Sequence, residues 1–265
     1  MIDTHAHLDF ENFDEDREEV IARFFSQGGK AIVNIGVNLE TSQKSIVLAE
    51  KHDGVFAAAG FHPHDATEKL SLPTNEDIEE LKKLATHKKV KAIGEIGLDY
   101  FRYKEADQKK QQKDLFEKQL KLAEDLELPV VIHCREAWED LFEIISNFKF
   151  PISNFVLHCY SGERKDTEKF LQLDNVCFSF SGNITYPKPV GRAEKLAEAV
   201  RMIPLDRIML DSDSPFLAPQ AIRGKRNEPV HIRYIAEKIA QIKEISEEKT
   251  ERITDLNAIK FFGIG

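Results

Sequence analysis

Met1-Ile2-Asp3-Thr4-His5-Ala6-His7-Leu8-Asp9-Phe10 opens the chain as a short strand-like run ending on two histidines, and no glycine follows until Gly28. An open doubly wound sheet usually places a Gly-rich phosphate turn directly after its first strand. That turn is missing here, so the first run belongs to another kind of α/β protein. Further strand-like runs fall at 31–37, 55–61, 90–98, 129–134, 154–159, 176–180 and 207–213, making eight with 1–7. Amphipathic or charged stretches at about 14–28, 40–53, 75–88, 106–127, 135–149, 163–174 and 191–202 separate them, and 229–244 and 246–262 close the chain. Eight strand–helix units in about 250 residues predict an α/β fold of the (β/α)8 TIM-barrel type. With no repeat, low-complexity tract or linker, residues 1–265 read as a single domain. Thr74 or Asn75, and Ser246, are placed to cap helices.

Composition narrows the function. The chain has 265 residues with 42% hydrophobic and 31% charged side chains, enough to bury a sizeable core. No apolar run reaches the ~18 residues of a membrane span. Asp3, His5 and His7 leave no room for a signal peptide, so a cytoplasmic protein is expected, with no membrane and no obligate protein partner. Lys+Arg of 37 against Asp+Glu of 46 gives a net charge of −9, which argues against broad attraction to nucleic acid. A nucleic acid held at one small metal site is still compatible with that charge. Cys134, Cys159 and Cys177 form no CxxC pair, and a disulfide framework is not expected.

Residues i and i+2 of a strand share a face, so His5 and His7 point together while Thr4 and Ala6 point away. Two neutral imidazoles aimed at one point form a pincer for a divalent ion; the plainer alternative is a pair of satisfied core histidines. Ligand-type side chains recur at later strand ends. Lys91-Ala92-Ile93-Gly94-Glu95-Ile96-Gly97 buries a carboxylate in an apolar run, which must neutralise or meet a cation. Val130–His133 and Phe155–His158 each end on histidine, and Ile208–Asp213 ends on acids. In a barrel these ends converge on the C-terminal mouth.

That set exceeds the needs of one ion and predicts two divalent ions sharing a carboxylate. His5, His7 and Asp213 are expected to hold the first, His133 and His158 the second, with Glu95 as bridge. Asp213, last before Ser214-Pro215, is the ligand nearest the mouth, and Asp211 is expected to support a ligand from behind. Alternation turns Cys134 and Cys159 away from the centre. His62 and His64, in Gly60-Phe61-His62-Pro63-His64-Asp65, repeat the i, i+2 spacing beyond strand three and are read as substrate-facing or supporting loop residues. Trp138 reads as helix packing.

These motifs resemble the TatD family of metal-dependent hydrolases, amidohydrolase-type barrels that include metal-dependent deoxyribonucleases. The matching segments are Asp3–Leu8, Gly60–His64, Gly94–Tyr100, Pro129–Arg135, His158–Gly162, Asp211–Pro219 and Arg223–Pro229, in order along nearly the whole chain. The resemblance puts the family's ligands on His5, His7, Glu95, His133, His158 and Asp213, the same set as the spacing. It departs at Asp211, where the family typically has Glu, and it has Glu95 where related barrels often carry a carbamylated lysine.

The resemblance implies a deoxyribonuclease of 3′–5′ exonuclease type acting on single-stranded DNA ends. Asp213 and Glu95 are the catalytic expectations, with Asp213 relaying a proton from water. Arg223, Lys225, Arg226 and Arg135 are candidates to position phosphates, and Asp99 and Tyr100 to support the site or meet substrate. Tyr100, Phe101, Tyr103 and Phe216 are candidates to stack on bases. Zn2+, Mn2+, Co2+ or Ni2+ suit the histidines, and Mg2+ suits nuclease turnover. Two other classes use the same residues: a hydrolase of small esters, lactones or amides, recognised by turnover of such substrates and not DNA, and a non-catalytic nucleic-acid or scaffold protein, recognised by binding without turnover.

Overall fold

The computed structural model describes residues 1–67, 72–148 and 154–265. Its strands are β1 (Ile2–Ala6), β2 (Ala31–Ile35), β3 (Val55–Ala59), β4 (Val90–Asp99), β5 (Val130–Arg135), β6 (Phe155–Leu157), β7 (Val176–Phe180) and β8 (Ile208–Leu210). The helices following them are α1 (Arg17–Ser26), α2 (Leu39–Lys51), α3 (Asn75–Ala85), α4 (Ala106–Asp125), α5 (Trp138–Asn147), α6 (Arg164–Phe170), α7 (Val190–Met202) and α8 (Ile232–Lys243), with α9 (Glu247–Phe262) last. The strands lie in sheet order β1 to β8, parallel where their pairing is described. This is the (β/α)8 barrel that the alternation predicts. Residue 149, at the end of the expected 135–149 helix, lies outside the described residues.

The chain groups into two compact units, residues 1–34 with 158–265, and residues 35–157. In the first, α8 buries Ile232, Ile235, Ala236, Ile239 and Ala240, the 3–4 spacing of one helix face. Each fully buried isoleucine there is worth about 1.5–3 kcal/mol of transfer free energy. Ser246 caps α9, its side chain accepting from the Lys249 amide. The run expected over 207–213 is a ladder strand only to Leu210. Beyond it the chain turns to β1: Ser212 N donates to Asp3 Oδ1, Asp213 N to His5 O, and His7 N to Ser214 O. First and last strands are thereby joined beside the two histidines.

In the second unit, Thr74 caps α3 with a reciprocal Asp77 bond. Two buried glutamines on α4, seven residues apart, hold the ends of two strands. Gln119 accepts from Phe61 N (2.7 Å) and donates to Phe61 O (2.9 Å); Gln112 does the same at Asp99 (2.7 and 3.1 Å). These bonds satisfy backbone groups where the chain leaves β3 and β4, fixing the exits that carry His62 and Asp99.

Candidate metal centre

In the first unit His5 and His7 face each other through their Nε2 atoms at 3.2 Å, and Asp213 Oδ1 lies 3.9 and 3.7 Å from them. Two imidazole nitrogens this close, with a carboxylate oxygen opposite, form a three-donor cluster suited to a cation. The register of β1 against β2 shifts between Asp3 and Ala6, a bulge of the kind that re-aims side chains beside functional sites. Asp213 sits at φ +50°, a left-handed conformation uncommon outside glycine, held by its backbone bond to His5.

The second unit presents another three-donor cluster. His133 Nδ1 is 2.8 Å and His62 Nε2 3.4 Å from Glu95 Oε1. A register shift in β4 between Ile93 and Ile96 brackets Glu95. Close approach of β4 to β5 depends on Gly97, at φ +143°, where a Cβ would come within 2.0 Å of the His133 carbonyl oxygen. Burial pushes the His62 imidazole down to about 4, helped by neighbouring His133 and His64 and opposed by Glu95. A neutral ring is what a metal ligand requires.

Asp99 stands behind this cluster. Its Oδ2 lies 3.0 Å from His64 Nε2 and 3.3 Å from His133 Nε2, while Oδ1 accepts from the Phe101 and Arg102 amides. Burial works to raise the Asp99 carboxyl, but the two imidazoles and the amide bonds hold it well below the usual range. Orienting partners of this kind fix the direction of a ligating ring.

In the first unit, His158 stacks on His5 with ring centroids 3.9 Å apart. Asp211 Oδ2 is 3.6 Å from His158 Nδ1 and accepts from Ser179 Oγ and Cys159 N, while Oδ1 accepts from Ser181 Oγ. Burial opposes ionisation of Asp211, yet His158 and the hydroxyls keep its carboxyl low. Asp3 is the opposite case: burial pushes it up to about 8 despite bonds from Ser212 N and Oγ. Beyond β1, Asp9 accepts from the Asn34 amide and the Arg17 guanidinium bonds the Leu8 and Phe10 carbonyls, pinning the turn.

The remaining expected residues divide. Tyr100 is buried with its hydroxyl donating to Asp140 at 2.6 Å, so it braces the fold at that position. Arg226 binds Asp16, Glu228 and the Asn12 carbonyl, and its guanidinium is engaged within the protein. Arg223 rests on the Tyr186 ring at 3.9 Å and Arg135 on the Phe101 ring at 3.8 Å. Phe101 and Phe216 are exposed. Cys134 is buried, and Cys159 lies 3.5 Å from Asn183 Nδ2.

His62, read from sequence as a substrate-facing or supporting loop residue, is a member of the Glu95–His133 cluster, and its HxH spacing beyond β3 is the signal for it. Asp3, Asp9, Asn34, Ser179, Ser181, Gln112 and Gln119 were not singled out. The bonds that give them a role run between separate elements, from 13 residues for Gln112 and Asp99 to 209 for Asp3 and Ser212, and no local pattern marks them.

A family model for TatD related DNases matches residues 2–263. The chain is 38% identical over its full length, and 99% of the relative's, to a Bacillus subtilis protein named uncharacterized metal-dependent hydrolase YabD. It is 34% identical, with 100% of both chains covered, to a Pantoea ananatis protein named 3'-5' ssDNA/RNA exonuclease TatD. The crystal structure of YJJV, a TatD homologue of Escherichia coli K12, matches with a TM-score of 0.89 at 28% identity, covering 100% of this chain and 98% of that one. The chain belongs to the TatD related DNase family of metal-dependent hydrolases.

Proposed function

We propose that the protein is a divalent-metal-dependent exonuclease that cleaves phosphodiesters from the 3′ end of single-stranded nucleic acid. The observation that carries this reading is the pair of three-donor clusters, His5–His7–Asp213 and His62–Glu95–His133, in a chain with full-length likeness to a relative named for that activity. His158 stays in the ligand set on its match to the family motif, and Glu95 stays the proposed shared carboxylate. These residues would hold divalent ions, which would supply a lowered pKa for water and neutralising charge for the phosphate oxygens.

The chain's own residues do the rest. Asp213 turns Oδ1 to the two imidazoles, which leaves Oδ2 to take the proton of the attacking water. Asp99 holds His133, and Asp211 faces His158, so neither imidazole has to reorient during turnover. A net charge of −9 argues against broad electrostatic attraction to duplex, which favours an end held locally.

The test uses end-labelled single-stranded DNA with protein stripped of metal and then resupplied with Mg2+, Mn2+ or Zn2+. The expected result is a metal-dependent ladder from the 3′ end, absent in Asp213→Asn and Glu95→Ala. No cleavage by protein of confirmed metal content overturns the nuclease reading, and turnover of a lactone or phosphotriester instead would assign the site to small esters. Metal counting on Glu95→Ala examines the bridge: a shared ligand costs both ions, an unshared one costs a single ion.

A further inference from the structure

Arg135 ends β5 two residues after His133, on the same face of the strand and about 6.6 Å further toward its C-terminal end. Its side chain has no carboxylate partner among the described residues. Several other guanidiniums are engaged within the protein: Arg23 by Glu228, Arg164 by Glu168 and Glu198, Arg207 by backbone carbonyls, and Arg226 by Asp16. Arg135 instead lies over the Phe101 ring, 3.8 Å from its centroid, and Lys104 approaches the same ring at 5.8 Å. Phe101 is 46% exposed, so the ring offers the guanidinium a solvent-facing platform.

The platform is tied to the ligand cluster. Asp99 Oδ1 accepts from the Phe101 and Arg102 amides and so sets the turn that carries the ring. The other oxygen of the same carboxylate, Oδ2, lies 3.3 Å from His133 Nε2. Tyr100 N donates to Arg135 O at 2.8 Å, so the turn is also hydrogen-bonded to the strand end that bears the arginine. One acid therefore aligns a metal-ligand candidate and the pedestal of the Arg135 guanidinium.

A guanidinium stacked flat on a ring keeps its N–H edge open, and that edge matches two phosphate oxygens. Its stacking also restricts rotamers that binding would otherwise have to freeze. Arg135 stands beyond His133 on the same face of β5, toward its C-terminal end, where the strand continuing from a phosphate at His133 could reach it. We infer that Arg135, seated on Phe101, binds the phosphate next to the one being hydrolysed, which makes the substrate class a strand with at least two consecutive phosphodiesters. This rests on the proposed phosphodiesterase reading and adds a specificity residue to it, with Phe101 as a positioning residue.

The experiment compares the trinucleotide TpTpT with the dinucleoside monophosphate TpT on metal-loaded protein, with the metal content of every variant measured. Wild-type protein is expected to prefer TpTpT in kcat/KM. Arg135→Met keeps apolar bulk on Phe101 but loses the charge, and should reduce that preference about ten- to hundredfold, mainly through KM. The dependence of log KM on log salt for TpTpT should weaken by about 0.7, the share of one phosphate contact to a single strand. Phe101→Ala should lower the preference and Phe101→Trp restore it. An undiminished preference in Arg135→Met overturns this inference and leaves the phosphodiesterase reading standing. Turnover of neither substrate by metal-loaded wild-type protein removes both.

Discussion

Arg226 grips Asp16 through both guanidinium nitrogens, Nη1 to Oδ1 at 2.7 Å and Nη2 to Oδ2 at 2.6 Å, across 210 residues of sequence. Those bonds hold the Asp16 carboxyl below its ordinary range. Nη1 also donates to the Asn12 carbonyl, so the loop after β8 is tied to the turn before α1. Sequence alone offers Arg226 as a phosphate donor; the structure gives it a structural partner.

Arg226→Ala is therefore expected to destabilise the fold by about 1 kcal/mol, within the range for an ion pair of good geometry near the surface. Asp16→Ala should do the same, and the double variant should lose little more than either single one. Thermal melts of the three proteins measure the coupling. A melting midpoint unmoved by Arg226→Ala would return this residue to substrate.

Metal should stabilise the protein as well as activate it. At a free ion concentration a hundred times Kd, linkage predicts about 2.7 kcal/mol per site, or about 5–10 °C in Tm for a chain of this size. Removing ions with chelator and titrating Mn2+ or Zn2+ back during melts checks this. His7→Ala and His133→Ala should each reduce the gain, since each removes one donor from a different cluster. Equal melting curves with and without metal would count against both clusters.

Asp211 is fully buried and accepts from Ser179, Ser181 and the Cys159 amide. Asp211→Asn turns an acceptor into a donor among donors, and is expected to cost about 3 kcal/mol or more. Asp211→Glu adds a methylene to a filled site and should cost about 1–3 kcal/mol. Urea unfolding gives both values. A loss under 1 kcal/mol in Asp211→Asn would show that the network is not needed for folding.

Tyr100, Asp140 and Lys113 supply a pH-dependent term. Burial tends to raise the Asp140 carboxyl, but bonds from Lys113 Nζ (2.6 Å) and Tyr100 Oη (2.6 Å) prevail and hold it low. A carboxyl depressed on folding stabilises above its unfolded pKa, and that contribution is lost as pH falls through the folded value. Tyr100→Phe should thus cost about 1 kcal/mol at pH 7 and progressively less below about pH 4. Denaturant melts from pH 3 to 7 follow the difference; a cost independent of pH would assign Tyr100 to packing alone.

Much of this protein was readable in one dimension. Strand and helix periods recur along the chain because each element must turn an apolar face inward, and the missing glycine turn after Phe10 separates a barrel from a doubly wound sheet. The ligand candidates stand out because a carboxylate such as Glu95 inside an apolar run has no reason to be there without a cation. Tertiary structure decided what local pattern cannot express. It brought His62 to Glu95 and His133, gave Arg226 to Asp16, and left Arg135 on Phe101 with no carboxylate partner among the described residues. It also ended β8 at Leu210, so that Ser212 and Asp213 could bond to Asp3 and His5. Hydrophobic period is a property of neighbours in the chain, whereas hydrogen-bond and ion-pair partners are chosen among groups that only folding brings within reach.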